Sequence, residues 1–219
     1  MRPSIFKTIC LIALLAFSSE KGEASSIAVN SFNGFGLLAT SSGDEILGWE
    51  FNTSTGIDVT ALGVREVGNA VDGLAIAHDV GILDVTTQSL LMSTTVAAGP
   101  CSLGLSGFCF NTLVNPVPIG PGNYVIVMTM PAGNADKTLS SLTSVGTAPE
   151  ITYITSVIDA GTSLHFPNPT FNGMHDAGLF GPNFLFETEA TAVPEPATLS
   201  LLGSALCVMS ARRRKRRTT

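Results

Sequence analysis

Charged and aromatic side chains are scarce in this sequence, and their scarcity excludes some classes of function. Of its 219 residues only 13% are charged, and the chain has one Trp, two Tyr and three His. Between Ser25 and Pro196 there are two basic residues, Arg65 and Lys137, against fifteen acids, a net charge of −13. A domain with that charge repels phosphate backbones, which excludes nucleic acid as a partner.

Sequence signatures of catalysis and of metal binding are also missing. The chain contains no H-E-x-x-H, H-x-H or G-x-S-x-G pattern and no D-x-[DN]-x-[DN]-G calcium loop. We therefore predict no catalytic residue, no metal site and no cofactor.

Apolar residues and turn formers are, by contrast, abundant. The sequence is 45% hydrophobic, which is enough for a packed core. Its 22 glycines and 12 prolines favour short strands and tight turns over long helices.

Residues 1–24 are typical of a removable secretion signal. Two basic residues precede the apolar run 9–17, and Gly22 and Ala24 offer small side chains at positions −3 and −1 of a cut before Ser25. Nine residues of helix span only about 14 Å, too short to cross a bilayer. The alternative interpretation of the run is a buried core helix.

The C-terminal segment, residues 192–219, has three ordered parts. They are a proline–acid–proline triplet, an apolar run and a basic run: Pro194, Glu195 and Pro196, then 197–211, then Arg212, Arg213, Arg214, Lys215, Arg216 and Arg217. As a helix the apolar run is about 22 Å long, and snorkelling arginines with local thinning cover the deficit to a bilayer core of about 30 Å. Basic runs are also found in nucleic-acid patches, but this position favours a membrane anchor with its end, 212–219, in the cytoplasm.

This ordered triple resembles the PEP-CTERM sorting signal. The resemblance implies recognition by an exosortase, a membrane-embedded cysteine transpeptidase or protease of Gram-negative bacteria. It further implies cleavage at or near the triplet and delivery to the cell surface or an exopolysaccharide matrix. In this interpretation Pro194, Glu195 and Pro196 are recognised by another enzyme and form no catalytic site.

Residues 25–191 are predicted to form a single all-β domain. The run Ile57–Val64 alternates apolar and polar residues as a half-buried strand does. Seven more segments have similar character: Leu47–Phe51, Val80–Val85, Ser89–Val96, Phe108–Val114, Tyr124–Met130, Ile151–Val157 and Asn183–Phe186. Turn residues separate them, so we predict an antiparallel, jelly-roll-like β-sandwich between an N-terminal signal helix and a single C-terminal transmembrane helix.

The domain also resembles an uncharacterised class of β-domains that PEP-CTERM proteins often carry. The pieces that carry this resemblance are Gly48–Phe51, Ile57–Val64, Asp72–Ala75, His78–Ile82, Asn115–Val117, Gly122–Ile126, Phe166–Pro167 and Gly181–Phe186. The class implies a fold and no established activity.

Histidines and acids form two candidate sites in this domain. Asp72, His78 and Asp79 would have to converge to bind a metal, yet neighbours in an extended strand point to opposite faces. That geometry favours turn-capping and hydrogen-bonding roles. A hydrolase would use His165 or the His175-Asp176 pair, but nothing marks a serine as its nucleophile.

Two further features concern calcium and disulfide chemistry. The oxygen-rich loop 41–45 has calcium-ligand types, although a solvated turn is the simpler interpretation. Cys101 and Cys109 are the only cysteines of the domain, and in an oxidising exterior we expect them to form a disulfide rather than remain free thiols.

These observations lead to one function hypothesis and two alternatives. We expect an exported protein of the surface or matrix, whose partners are an exosortase, the membrane and extracellular polysaccharide. The first alternative is a secreted carbohydrate-binding module, for which Trp49, Tyr124 and Tyr153 are the available rings besides phenylalanine. The second alternative is a secreted hydrolase.

Overall fold

The computed structural model describes residues 25–34, 36–38, 43–66, 73–140, 142–168 and 179–188. The chain divides into two units, residues 1–188 and 189–219, and every described residue lies in the first. The predicted signal peptide, residues 1–24, and the sorting tail, residues 192–219, therefore lie outside the described residues.

All regular secondary structure in the described part of the chain is β-strand, which confirms the all-β prediction. The strands are β1 Ser26–Ile27, β2 Val29–Asn33, β3 Gly36–Leu38, β4 Glu45–Thr53, β5 Ile57–Arg65, β6 His78–Asp84, β7 Leu90–Val96, β8 Leu103–Leu105, β9 Phe108–Ile119, β10 Gly122–Met130, β11 Thr138–Ser140, β12 Ser144–Thr147, β13 Ile151–Ala160, β14 Leu179–Phe180 and β15 Pro182–Thr188. Each of the eight predicted segments falls on a strand to within one residue. Within these ranges no helix is long and apolar enough to cross a membrane.

Two five-stranded antiparallel sheets form the body of the domain. The β5 sheet has the order β1-β15-β5-β9-β8, and the β4 sheet has the order β13-β4-β10-β6-β7. Two smaller sheets, β14-β11-β3 and β12-β2, complete the pairing. The jelly-roll connectivity stays a prediction.

Aromatic side chains from both large sheets meet in one core, as in a β-sandwich. Trp49 of β4 is fully buried, and its ring stacks on those of Phe180 and Phe184 with centroids 5.1 and 6.0 Å apart. The indole Nε1 of Trp49 donates a hydrogen bond of 2.8 Å to the carbonyl oxygen of Pro182. The indole thus satisfies its one donor without reaching solvent.

The outer face of the β4 sheet carries a second apolar cluster. Ile46, Leu83, Val125 and Val127 are buried there, and Leu164 and Phe166 from the segment after β13 pack against them. Burial on both faces explains why β10 has a nearly continuous apolar sequence instead of an alternating one.

The β8–β9 connection is a two-residue hairpin. Leu105 pairs with Phe108, and the intervening Ser106 and Gly107 both have positive φ, 53° and 76°. Two central residues with positive φ are the requirement of a type I′ turn, which glycine meets without steric cost.

Strand β9 contains a large bulge opposite β5. Val59 pairs with Val117 while Ala61 pairs with Thr112, so the residues between Thr112 and Val117 leave the ladder. Val114 in this bulge is 98% exposed.

Candidate functional sites

The predicted sorting motif lies outside the described residues, so the geometry that can be built concerns the histidines, acids and cysteines of the β domain. His175, Asp176 and Asp72 are likewise outside the described ranges. The remaining candidates, namely His78, Asp79, His165 and the cysteine pair, are all described.

His78 is fully buried at the start of β6 and has a partner on each ring nitrogen. Its Nδ1 lies 2.7 Å from the carbonyl oxygen of Thr129, and its Nε2 lies 3.0 Å from Oδ2 of Asp136. Because a carbonyl oxygen only accepts, Nδ1 carries a proton and donates.

Asp136 connects this histidine to a neighbouring loop. Its Oδ1 accepts the N–H of Ala75 at 2.7 Å, and its Oδ2 accepts the N–H of Ile76 at 3.1 Å. The carboxylate therefore fastens the segment before β6 to the loop after β10. This arrangement is a structural clamp of the kind expected for a buried polar group whose bonds are all made.

Asp79 points away from His78, as strand alternation predicts. Its side chain is exposed, and its Oδ1 accepts a hydrogen bond of 2.6 Å from the hydroxyl of Thr95 on β7. The two side chains therefore do not converge on one ion.

His165 forms a second histidine–aspartate pair, on the segment after β13. Its Nδ1 lies 2.8 Å from the carbonyl oxygen of Ser163, and its Nε2 lies 3.3 Å from Oδ2 of Asp159. Burial raises the pKa of Asp159, but the N–H groups of Asn168 and Ala160 and the His165 ring outweigh it, and the pKa ends below its ordinary value.

Neither described pair has the geometry of a hydrolytic triad. In a triad one histidine nitrogen faces the carboxylate and the other faces a hydroxyl nucleophile. Here the second nitrogen of His78 and of His165 faces a backbone carbonyl, which has no proton to give. His165 lies beside an acid, as the hydrolase hypothesis requires, but no serine hydroxyl takes the nucleophile's place.

The loop 41–45 is only partly described. Oδ1 of Asp44 accepts the N–H of Ala132 at 2.8 Å, which is a loop-bracing contact. Over the described ranges, no group of three or more His, Cys, Asp or Glu side chains is placed to hold a metal ion.

Cys101 and Cys109 are joined as a disulfide in the structure, with Cα atoms 4.9 Å apart. The bond links the loop before β8 to β9. A cavity of about 100 Å³ lies beside it, lined by residues of β7, β9 and the intervening loop.

The rings that a sugar-binding surface would use are mostly internal. Trp49 is fully buried, Tyr124 is 7% exposed, and Tyr153 is half-buried against Trp49. Carbohydrate modules that stack sugars need exposed ring faces, and these three side chains supply little such surface.

Arg65 is a structural residue that sequence reasoning did not single out. Its guanidinium lies over the rings of Phe32 and Phe108, 5.6 and 5.2 Å from their centroids, and donates to the carbonyl oxygens of Ser106 and Gly107. Burial lowers its pKa, and the neighbouring Glu66 opposes that shift. From the sequence, the apolar residues before Arg65 indicate only that this residue ends β5. They do not indicate which groups its guanidinium contacts.

Comparison with known proteins identifies the tail. Residues 192–216 match the family described as the PEP-CTERM protein-sorting motif. The match confirms the predicted motif and implies export, a membrane-anchored C-terminal sorting signal and processing by an exosortase. A comparison with curated proteins found no match.

Proposed function

We propose that this chain is an exported bacterial surface protein whose β domain has a structural, non-catalytic role in the surface layer or an exopolysaccharide matrix. The observation that carries the proposal is the sorting motif at residues 192–216. A sorting tail determines where a protein is delivered, and the role of the domain depends on its own residues.

The proposed path of the chain follows from the physical chemistry of its two ends. A signal peptide ending at Ala24 directs export, and the apolar run 197–211 stops transfer in the membrane. The six consecutive cations Arg212–Arg217 hold the end of the chain in the cytoplasm. An exosortase then cuts at or near Pro194–Pro196 and releases the domain outside.

The non-catalytic role is supported by the two described histidines. Each has one nitrogen on a carboxylate and the other on a carbonyl, so neither is free to activate a nucleophile. The burial of Trp49 and Tyr124 gives no support to the carbohydrate-binding alternative, because buried rings cannot stack on sugars.

The proposal is tested by fractionating cells that express the full chain and measuring the intact mass and both termini of the recovered protein. We expect an N-terminus at Ser25 and, outside the cell, a C-terminus near Pro194–Pro196. A chain that keeps Arg212–Arg217 and stays in the membrane would show that the tail is a permanent anchor.

Glu195→Ala and Glu189→Ala form a matched pair of variants for this experiment. Each removes one carboxylate near the end of the domain, but only Glu195 lies in the matched motif. We expect Glu195→Ala to accumulate uncut in the membrane and Glu189→Ala to be processed like the natural chain. Equal processing of both would contradict recognition through the triplet.

A further inference from the structure

The charges of this domain are segregated along its sequence. From Val85 to Ala135 there is no Asp, Glu, Lys, Arg or His, although the domain around this run, residues 25–191, has a net charge of −12. The run contains the four consecutive strands β7, β8, β9 and β10. A neutral region of this length inside a strongly acidic domain needs a physical reason.

Exposed apolar side chains concentrate in the same run. Six large hydrophobic side chains are exposed among the described residues, and five of them lie between Val85 and Ala135: Leu90, Leu91, Leu103, Leu105 and Val114. The sixth is Ile154 on β13, which is 44% exposed.

The fold brings these side chains to one edge of the sandwich. Strand β7 ends the β4 sheet and β8 ends the β5 sheet. The two sheets are tied together here by Asn111 of β9, whose Nδ2 donates to the hydroxyl of Thr94 at 2.8 Å and to the carbonyl oxygen of Thr95 at 3.0 Å. We call this region, made of β7, β8 and β9, the uncharged edge.

The strands of the uncharged edge lack charged guard residues, and the shortness of β8, three residues, is the edge protection that the strand has. Exposed edge strands are commonly guarded by charged side chains, lysine above all, which make pairing with another strand unfavourable. Strand β8 reads Leu103-Gly104-Leu105, and all three residues are exposed. In the part of the chain that the structure describes, β8 has a strand neighbour, β9, on one side only.

We propose that the uncharged edge is the contact surface for a second copy of this chain, with β8 of one copy running antiparallel to β8 of the other. Two domains with a charge of −12 repel each other at any acidic face, and they approach with least repulsion through β7, β8 and β9, whose own residues carry no charge. The charged side chains that touch these strands are Asp79, which accepts from Thr95 of β7, and Arg65, which donates to the β8–β9 turn. A basic partner would be drawn to the acidic faces instead.

Self-association also fits the chemistry of the edge better than a sugar does. The rings of Phe108 and Phe110 in this region are buried, so they offer no stacking surface. A two-fold axis through β8 brings Leu103 and Leu105 of one copy against the same leucines of the other, an isologous contact that closes as a dimer. The inference is independent of the sorting proposal.

The test is sedimentation equilibrium of the full chain in density-matched detergent, with Leu103→Asp/Leu105→Asp compared with Ile154→Asp. All three positions are exposed hydrophobic residues on strands, but only the first two lie on the uncharged edge. We expect a monomer–dimer equilibrium whose dissociation constant rises at least about tenfold in the double variant. Ile154→Asp should leave it within about twofold.

The salt dependence of the dissociation constant is a second readout. Its sign should be opposite to that of an interface held by ion pairs. Because the contact is uncharged and the bodies repel, raising the salt from about 0.05 to about 0.5 M should strengthen the dimer. Association that weakens with salt would overturn the proposal, as would a monomer at every concentration. Equal changes of the dissociation constant in the edge variant and the control variant would also overturn it. So would an unchanged dissociation constant in the edge variant, which would indicate that the tail holds the dimer together.

Val114→Asp keeps the experiment interpretable if the double variant does not fold. The side chain of Val114 is 98% exposed, so the change cannot disturb the core. We expect it to raise the dissociation constant by at least about threefold, with the buried Trp49 emission unchanged. A dissociation constant that does not move in a folded Val114→Asp chain would count against the edge.

Discussion

The two histidine–aspartate pairs of the described domain have the same chemistry in different surroundings. In both, Nδ1 donates to a backbone carbonyl and Nε2 faces a carboxylate, at 3.0 Å in His78–Asp136 and at 3.3 Å in His165–Asp159. The side chain of His78 is 0% exposed and that of His165 is 37% exposed. Water can replace the partners of the exposed ring, but it cannot reach the buried one.

The sequence around a histidine therefore says little about how much a histidine–aspartate pair contributes to stability. His78-Asp79 and His175-Asp176 are adjacent in sequence, yet the carboxylate that pairs with His78 is Asp136, on another loop. The role of each histidine is decided by the burial of its ring and by the partner of the ring nitrogen that does not face the carboxylate. The following experiments change members of both pairs and, as a contrast, the carboxylate of Glu50.

The largest effect is expected from His78→Ala. Removing the buried ring leaves the Thr129 carbonyl and the Asp136 carboxylate without their partner, which should cost about 3–5 kcal/mol of unfolding free energy. Urea unfolding followed by fluorescence of Trp49, the single tryptophan of the chain, measures it. Asp79→Ala, one residue away and exposed, is the matched control and should cost less than about 1 kcal/mol. A similar small loss for both would show that the clamp carries no stability.

Asp136→Asn should have an intermediate effect. The two carboxylate oxygens accept from Ala75, Ile76 and His78, whereas an amide has only one acceptor atom and turns an NH₂ group toward a donor. We expect a loss of about 1–3 kcal/mol. Hydrogen exchange at the amides of Ala75 and Ile76 should accelerate beyond the global change, and unchanged protection there would contradict the clamp.

His165→Ala should cost less than about 1 kcal/mol, because its ring is partly exposed and its contact with Asp159 is screened by solvent. The same urea experiment measures it. A loss as large as that of His78→Ala would mean that the segment after β13 is held mainly by this ring, and the contrast between the pairs would fail.

The dependence of stability on acid pH should further distinguish the two pairs, because it reports on Asp159. Hydrogen bonds hold its pKa below the ordinary value despite burial, so its stabilising contribution is present above the unfolded pKa of about 3.9. That contribution is lost as the pH falls through the lowered folded value. Between about pH 4 and pH 2, Asp159→Asn should lose stability less steeply than the natural chain. Parallel curves would contradict the assignment.

Glu50 is a carboxylate whose surroundings act in the opposite direction to those of Asp159, and its substitution has the smallest expected effect. Burial raises the pKa of this carboxyl on β4, so its charged form costs stability at neutral pH. Glu50→Gln should therefore gain up to about 0.5 kcal/mol at pH 7. The gain should vanish below the unfolded pKa, since the natural side chain is then neutral in both states. A gain independent of pH would have another cause.

The longer strands could be predicted from sequence because their apolar and β-branched residues record burial locally. Ile57–Val64 and Tyr124–Met130 are examples. Short strands such as β2, Val29–Asn33, have no such signal, because Ser and Asn residues form a strand there through pairing with the distant Ser144–Thr147. Tertiary context overrides local propensity in these segments.

The candidate sites also include features that could be predicted from the sequence and features that could not. Strand alternation alone predicted that His78 and Asp79 point apart, and they do. The partner Asp136 could not be predicted, since it lies on the loop after β10, far along the chain, and the β6–β10 pairing brings that loop near His78. The tail motif needed no fold, because an enzyme reads its residues in order along the chain.

The place of β15 in its sheet sets the time at which the domain can fold. This strand, the last in the described part of the chain, lies between β1 and β5, and its first residue, Pro182, supplies the acceptor for the Trp49 indole. As the chain emerges from the ribosome, neither the sheet nor the core can close until the residues just ahead of the sorting tail are made. An exported chain built this way stays unfinished, and so able to thread through a translocation channel, until residues 182–188 have been made.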